Sequence, residues 1–188
     1  MPYVQPVLCT PRLLLKPLII QDAPGLEALF SDWNIVRLLP ANMCWPYPAG
    51  EALRFIAQDA LPAMADGEAW HWSLRPRSEP ERFIGMISLM DETDDNRAFI
   101  LRQEWQGKGL ISEASAAVTR FWFETLEQPT LRVGKAQCNE SSRRISIREG
   151  MQLVDCTEAQ FVCGPLQQEI WEITRDQWLA RHQTQRAL

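Results

Sequence analysis

The sequence is poor in the residues that build metal sites and disulfide frameworks. Its 188 residues include only two histidines and five cysteines, and no two cysteines have C-x-x-C spacing. An odd cysteine count without that spacing argues against both a disulfide framework and a zinc site. We therefore expect no metal, and we expect the cysteines to be small buried hydrophobic residues in a reducing compartment.

The chain also lacks a basic excess and a long apolar run. It carries 19 Lys and Arg against 24 Asp and Glu, a formal net charge of −5. Nucleic-acid-binding domains usually show a positive excess, so we expect no nucleic-acid partner. Apolar runs such as residues 13–15 and 18–20 are too short to cross a bilayer, and the N-terminus has no signal-peptide pattern. We expect a cytoplasmic protein with no membrane partner.

The hydrophobic pattern predicts one mixed α/β (α+β) domain around a central, mostly antiparallel sheet. The order is a strand, two helices, three strands, a helix, a strand, a helix and a strand pair. Strands are expected at 12–17, 69–74, 83–89, 97–102, 131–137, 160–163 and 169–174. Helices are expected from Asp22, and at 50–64, 110–126 and 141–149. Residues after Trp178 are expected to form a frayed tail.

A glycine-rich loop, residues 103–111 with the sequence QEWQGKGLI, is the most informative segment. Gly107 and Gly109 let the backbone approach a ligand and expose successive N–H groups, while the following helix points its positive end at the same place. This arrangement suits a pyrophosphate. It is not a Walker A loop, because Leu110 stands where Ser or Thr should follow Lys108, and it lacks the third glycine of a dinucleotide fingerprint. A tight turn that enters a helix is the alternative.

A second motif, N-x-x-S, follows the strand predicted at 131–137. Asn139 can bond backbone or ligand groups at the strand end, and Ser142 lies in the first turn of the next helix. Gly150 closes that helix in the left-handed conformation. Asn139 and Ser142 are either ligand-binding residues or ordinary helix caps.

Together the two motifs resemble the GNAT family of N-acetyltransferases, in particular its RimJ/RimL-like branch of ribosomal-protein Ala/Ser N-terminal acetyltransferases. The resemblance rests on residues 10–22, 105–114, 139–151 and 169–178. It implies one N-acetyltransferase domain with the GNAT fold, residues 1–188 with a core at about 10–178. It also implies acetyl-CoA as donor, a protein N-terminus or a small amine as acceptor, and a monomer or homodimer.

The resemblance further assigns roles to site residues. The backbone of Phe99, Ile100 and Leu101 would bond the pantetheine and the thioester carbonyl. Asn139 would touch the pantetheine arm, and Ser142 would lie near the sulfur and protonate the leaving thiolate. Backbone N–H groups of the loop would hold the pyrophosphate. These loop residues are Gln106, Gly107, Lys108, Gly109, Leu110 and Ile111.

The general base is the open question. Attack of an amine on a thioester needs a neutral amine, a polarised carbonyl and a stabilised thiolate, but no covalent enzyme intermediate. Glu104 stands where the family usually has Gln or Arg, and Asp91 and Glu92 end another predicted strand. Each is either the base or a solvated loop carboxylate. Ser146 occupies the place where many GNAT enzymes carry the Tyr that acts as general acid. Because that Tyr is missing here, Ser142 is the better candidate for the acid.

Several other side chains have two interpretations. Alternation in the strand at 69–74 places His71 opposite two tryptophans, facing solvent or an acceptor pocket. The tryptophans line an acceptor cleft or pack in the core, and two arginines meet the 3′-phosphate of CoA or cap a helix. These residues are Trp45, Trp70, Trp72, Arg143 and Arg144. The alternatives to an enzyme are a non-catalytic acyl-CoA-binding sensor and a structural domain whose G-x-G is only a turn.

Overall fold

The computed structural model describes residues 4–186, with side-chain surroundings as far as residue 183. The strands in this part of the chain are β1 (Leu8–Cys9), β2 (Leu13–Pro17), β3 (Ala69–Pro76), β4 (Gly85–Met90), β5 (Arg97–Leu101), β6 (Thr130–Ala136), β7 (Gln152–Phe161) and β8 (Gly164–Thr174). The helices are α1 (Ala23–Phe30), α2 (Trp33–Val36), α3 (Glu51–Arg54), α4 (Leu61–Asp66), α5 (Leu110–Arg120), α6 (Glu140–Glu149) and α7 (Arg175–Arg186). A π-helical turn, Phe55–Ala60, joins α3 to α4, and another, Phe121–Thr125, extends α5.

The strands form two antiparallel sheets that meet at β5 and β6. The first has the order β1-β2-β3-β4-β5 and the second β6-β8-β7. Asn96 joins them at one point: its backbone N–H donates to the Arg132 carbonyl and its Oδ1 accepts from the Arg132 N–H, both at 2.8 Å. The predicted mixed α/β fold is confirmed, but the one central sheet expected is divided into two, which part beyond this contact.

Helices cover both faces of the five-stranded sheet. One face packs on α1, α3 and α4, and the other packs on α5. Every residue of β3 is buried, so Trp70 and Trp72 are core residues, and the Trp72 ring meets Phe121 edge-on at a centroid distance of 5.4 Å. Such aromatic pairs add about 1 kcal/mol beyond the area they bury. The core interpretation of these two tryptophans is therefore correct.

The C-terminal part differs from the predicted one. The strand pair expected at 160–163 and 169–174 is a long hairpin, β7 and β8, whose first strand is solvent-exposed from Gln152 to Glu158. An exposed strand has no apolar alternation to detect. The frayed tail expected after Trp178 is wrong for the described residues, because α7 continues as far as Arg186. Trp178 is 4% exposed, and its ring packs on that of Phe123 with the two centroids 5.4 Å apart, which anchors this helix.

The expected burial of the cysteines is also wrong. All five are exposed: Cys9, Cys44, Cys138, Cys156 and Cys163. They lie in turns or on strands whose outward side faces solvent. The prediction rested on the usual burial of cysteine, whereas the place of each residue in a turn or on a strand decides its exposure.

His71 is buried rather than facing solvent or an open pocket. It is 6% exposed, its Nδ1 lies 2.7 Å from Ser88 Oγ, and its ring meets Phe55 edge-on. Burial lowers the pKa of His71 to about 4. The folded protein therefore holds this imidazole neutral at pH values where the unfolded chain protonates it.

We predict that His71 makes the fold acid-sensitive. Between its ordinary pKa and pH 4 the unfolded state binds a proton that the folded state does not, so the free energy of unfolding falls by about 3 kcal/mol as pH drops through this range. Urea unfolding of the wild type and His71→Gln at pH 7 and pH 4.5 measures the effect. The variant should lose less stability on acidification, and identical losses would contradict the assignment.

Candidate functional site

A groove of about 470 Å³ opens where β5 and β6 part. Its walls are the end of β5, the loop before α5, the first turns of α5 and α6, and residues 34–39. It gathers every predicted site residue except Glu104 and Lys108. The predicted residues that line it are Phe99, Ile100, Leu101, Gln106, Gly107, Gly109, Leu110, Ile111, Asn139 and Ser142.

The glycine loop turns outward through two left-handed residues. Gly107 and Gly109 have φ of +72° and +76°, which a side chain at either position would strain. The backbone N–H groups of residues 107–112 donate to no protein acceptor within the described chain, and the first N–H to do so is that of Glu113, to the Gly109 carbonyl at 3.1 Å. Unpaired N–H groups at the start of an 11-residue helix are able to bind an anion.

An ion pair from the first sheet fixes this loop in place. Arg12 donates through Nε to Glu113 Oε2 at 2.7 Å and through Nη1 to the Lys108 carbonyl at 2.9 Å. Thr10 Oγ1 donates to Glu113 Oε1 at 2.5 Å. Although burial raises the pKa of Glu113, the hydrogen bonds from Thr10 and Arg12 outweigh it and lower the pKa. The sequence resemblance included these residues but did not reveal that they contact one another.

Trp105 adds a donor that the sequence did not single out. Its Nε1 is buried in the groove wall and has no acceptor among the described residues. Arg82 and Lys108 lie over the Trp105 ring, at 5.4 and 5.1 Å from its centroid. Lys108 therefore packs on the tryptophan and is not part of the groove wall.

Asn139 and Ser142 lie together at the start of α6. Asn139 Oδ1 accepts from the Ser142 N–H at 3.2 Å, so Asn139 is a helix cap and a groove residue at once. Ser142 is 7% exposed. Ser142 therefore reaches the groove from a fixed helical turn.

The candidate carboxylate bases lie away from the groove wall. Glu104 is more than half exposed and its Oε1 lies 3.9 Å from Arg82 Nη2. Asp91 and Glu92 are exposed in the turn before β5. Within the described residues, the groove wall contains no aspartate, glutamate or histidine.

Positive charge, by contrast, lines the groove. Arg37, Arg144 and Arg148 belong to its wall. Arg148 Nη1 donates to Ser112 Oγ at 2.9 Å, and Arg144 pairs with exposed Glu140 at 3.0 Å. Of the two arginines proposed to meet a phosphate, Arg143 instead pairs with the buried Glu169 at 2.8 Å.

The tip of the β7–β8 hairpin fixes the far wall of the groove. The Val162 N–H donates to the Leu39 carbonyl at 3.0 Å, and the Cys163 N–H donates to the Arg37 carbonyl at 3.1 Å. These bonds hold residues 37–39 in the wall of the groove that Ser142 also lines. The wall is therefore a backbone ladder and not a free loop.

Residues 12–152 match the family model of the acetyltransferase (GNAT) domain. The chain belongs to the GNAT acetyltransferase family. No curated protein sequence matches it significantly.

Solved GNAT structures have the same fold at low sequence identity. RimL, a ribosomal L7/L12 α-N-protein acetyltransferase in complex with CoA, is 17% identical with a TM-score of 0.75, over 92% of this chain and 98% of that one. A ribosomal-protein-S5-alanine acetyltransferase from Vibrio fischeri is 14% identical with a TM-score of 0.79, over 93% and 99%. The microcin C7 self-immunity acetyltransferase MccE, in complex with acetyl-CoA and AMP, is 16% identical with a TM-score of 0.72, over 87% and 93%.

Neither a metal cluster nor a membrane span is found in the part of the chain that the structure describes. No group of three or more His, Cys, Asp or Glu residues there is placed to hold a metal ion. No helix there has the length and apolar character needed to cross a bilayer.

We predict that Glu113 is the residue that stabilises the loop most. Glu113→Ala removes the charged hydrogen bonds from Thr10 and Arg12, so the free energy of unfolding should fall by about 2 kcal/mol. Glu140→Ala is the matched control, because its pair with Arg144 is exposed on both sides and should contribute less than about 0.5 kcal/mol. Urea unfolding measures both, and equal losses would show that the loop does not depend on Glu113.

Proposed function

We propose that this GNAT protein is an acetyl-CoA-dependent N-acetyltransferase that transfers the acetyl group directly to a primary amine. The observation that carries the proposal is the groove at the β5–β6 gap, with unpaired N–H groups at one end and Ser142 beside the gap. A carrier with a diphosphate at one end and a thioester at the other matches both features.

The loop and its arginines fit the diphosphate. The N–H groups of residues 107–112 and the N-terminus of α5 supply donors and a positive dipole end. Arg144 and Arg148 add charge, and Trp105 Nε1 adds one more donor. With no carboxylate on the described groove wall, nothing there repels the phosphates.

The gap itself fits the pantetheine arm. β5 pairs with β4 on one side, and its other edge faces β6 across the gap. A strand edge presents N–H and C=O groups that need partners. Because backbone groups alternate sides along a strand, Ile100 bonds to β4, and Phe99 and Leu101 face the gap. The Leu101 carbonyl accepts from Gln106 Nε2 at 2.9 Å, which leaves the Phe99 N–H and C=O and the Leu101 N–H to bond the amides of the arm and to polarise the thioester carbonyl.

Acetyl-CoA, when bound, supplies an activated acetyl group. The amine nitrogen bonds to the carbonyl carbon, the carbon–sulfur bond breaks, and its electron pair leaves with the sulfur. Ser142 is the proposed proton donor to that sulfur, and its hydroxyl regains a proton through water from the nitrogen, which must lose one as the amide forms. Since the described groove wall holds no carboxylate or histidine, the ammonium proton passes to water, and the three arginines favour the neutral amine by repelling its charged form.

The acceptor is either a protein N-terminus or a small amine. Two of the structural neighbours are named as acetyltransferases of ribosomal proteins, which supports a protein N-terminus. MccE is a self-immunity acetyltransferase, which supports a small molecule. Residues 34–39, which form the far wall, are the segment expected to choose between them.

We predict that Gly107→Glu abolishes acetyl-CoA binding in isothermal titration, with a Kd at least about 100-fold higher, because it places a carboxylate against the diphosphate. Gly67→Glu is the matched control. Gly67 has a similar φ of +74°, also has open space at its Cβ, and caps α4 outside the groove. The control should bind normally, and normal binding by Gly107→Glu would refute the loop assignment.

We predict that Ser142→Ala lowers kcat by about 10- to 100-fold while the Kd for acetyl-CoA stays unchanged, because the hydroxyl acts on the leaving sulfur. CoA release across a panel of peptide and small amines gives kcat, and titration gives the Kd. An unchanged kcat would remove the proposed role of Ser142. If the wild type binds acetyl-CoA tightly but releases no CoA with any amine of the panel, the result would instead favour a non-catalytic acyl-CoA sensor.

A further inference from the structure

A buried lysine lies beneath the helical turn that carries Ser142. Lys135, near the end of β6, is 6% exposed. Its Nζ donates to Ser146 Oγ at 2.5 Å and to the Ser142 carbonyl at 3.3 Å. Ser146 is fully buried, and Lys135 itself is not part of the groove wall. The ammonium thus contacts the groove only through α6.

Acidic groups surround Lys135, but each already has another partner. Glu149 on α6 accepts from Arg97 at 2.7 Å, and Glu169 on β8 accepts from Arg143 at 2.8 Å. Asp95, in the turn before β5, accepts from the Gly134 N–H at 3.2 Å. Within the described residues no carboxylate lies within 4.0 Å of the Lys135 Nζ.

The cation is therefore incompletely neutralised, although it lies in a buried place. Arg97, on β5, adds a like charge to the same cluster. Burial and Arg97 lower the pKa of Lys135 to about 7, and Glu149, Asp95 and Glu169 oppose that shift. A lysine that were only a structural ion pair would have a carboxylate in direct contact. This one donates instead to a hydroxyl and to the helix turn at the groove.

We propose that Lys135 is a positioning residue for the thiol end of the acyl carrier. It holds the first turn of α6 so that Ser142 faces the gap, and it places a positive charge behind the sulfur that leaves as a thiolate. The inference rests on the proposed function, because it requires the sulfur to lie at Ser142. In the transfer step the carbon–sulfur electron pair goes to sulfur, Ser142 or water returns the proton, and Lys135 keeps its own.

The proposal carries a pH dependence with a defined sign. Lys135 is charged below its pKa and neutral above it, so its help to the thiolate is present in acid and is lost as pH rises through about 7. Deprotonation of the acceptor amine has the opposite effect, because it raises the rate as pH rises. The rate of the wild type should therefore fall on the alkaline side of neutral, and this limb should be absent in Lys135→Met.

The decisive test needs no acceptor. Free CoA is bound to the protein and its thiol is titrated by the ultraviolet absorbance of the thiolate. Read below pH 7, where Lys135 is charged, the bound thiol should have an apparent pKa about one unit lower in the wild type than in Lys135→Met, which is a tenfold higher thiolate fraction. Above pH 8, where Lys135 is neutral, the two proteins should have the same thiolate fraction. Lys16→Met is the matched control, because it removes an exposed lysine on β2 that pairs only with Glu81. It should leave the thiol pKa unchanged.

A second variant separates charge from shape. Lys135→Gln keeps a donor for Ser146 and the Ser142 carbonyl but has no charge, so it should resemble Lys135→Met in thiol pKa and in the pH profile. Unfolding midpoints at pH 6 should change little in both variants, because the loss of the hydrogen bonds from Nζ is offset by the removal of a buried charge that no carboxylate contacts directly. A large loss of stability would indicate a structural role and overturn the proposal.

The remaining outcomes distinguish failure of the Lys135 proposal from failure of the proposed acetyltransferase function. If CoA binds the wild type and both Lys135 variants with the same thiol pKa, Lys135 has no such role, while the proposed acetyltransferase function stands. If CoA does not bind the wild type at all, the proposed function fails and this inference fails with it.

Discussion

The contact between Asn96 and Arg132 is the constraint on which the site depends. Here the residue before β5 lies within hydrogen-bonding distance of β6, and the neighbouring Asp95 accepts from the Gly134 N–H of β6 at 3.2 Å. Asn96 is 6% exposed and also donates from Nδ2 to the Met90 and Glu92 carbonyls, so its side chain is fixed on every side. Beyond it two strand edges face each other without a ladder, and buried backbone groups require partners. The proposed acyl carrier has amides of its own and would satisfy them, so under the proposed function the gap is a binding feature and not a defect.

Two independent attachments keep the groove open around that gap. Arg12, held by Glu113, fixes the carbonyl of Lys108 and with it the glycine loop. On the far side the hairpin tip fixes residues 37–39 through backbone bonds. The two attachments come from opposite ends of the chain, so the groove forms only when the fold is complete. This explains why the site has fixed walls although most of it consists of turns.

The sequence predicted those parts of the site in which the backbone demands a particular residue type. Gly107 and Gly109 adopt positive φ, Asn139 caps a helix, and the strands of the first sheet show apolar residues on their buried faces. Such requirements are local and can be recognised without a structure. The glycine loop, the N-x-x-S turn and the mixed α/β fold were therefore accessible from the sequence.

The parts that could not be predicted depend on distant neighbours. His71 is buried because Phe55 and Ser88 cover it, and Trp178 anchors α7 because Phe123 lies beneath it. Lys135 follows Leu131 and Val133 at every second position of β6, which places it on the buried face but says nothing about what lies above it. Contacts between residues far apart in the chain decided each of these cases, and no periodicity encodes them.

Positive charge lies both on the groove wall and behind it. Arg37, Arg144 and Arg148 line it, Lys135 and Arg97 lie behind α6, and no carboxylate is found on the part of its wall that the structure describes. The three groove arginines are exposed and screened by solvent, whereas Lys135 and Arg97 are buried, where charges interact more strongly. In the proposed reaction these charges would attract the diphosphate, stabilise the departing thiolate and repel an ammonium. The same field that holds the proposed donor would then select the neutral form of the acceptor, which is the form that attacks, so the proposed reaction does not require a dedicated carboxylate base.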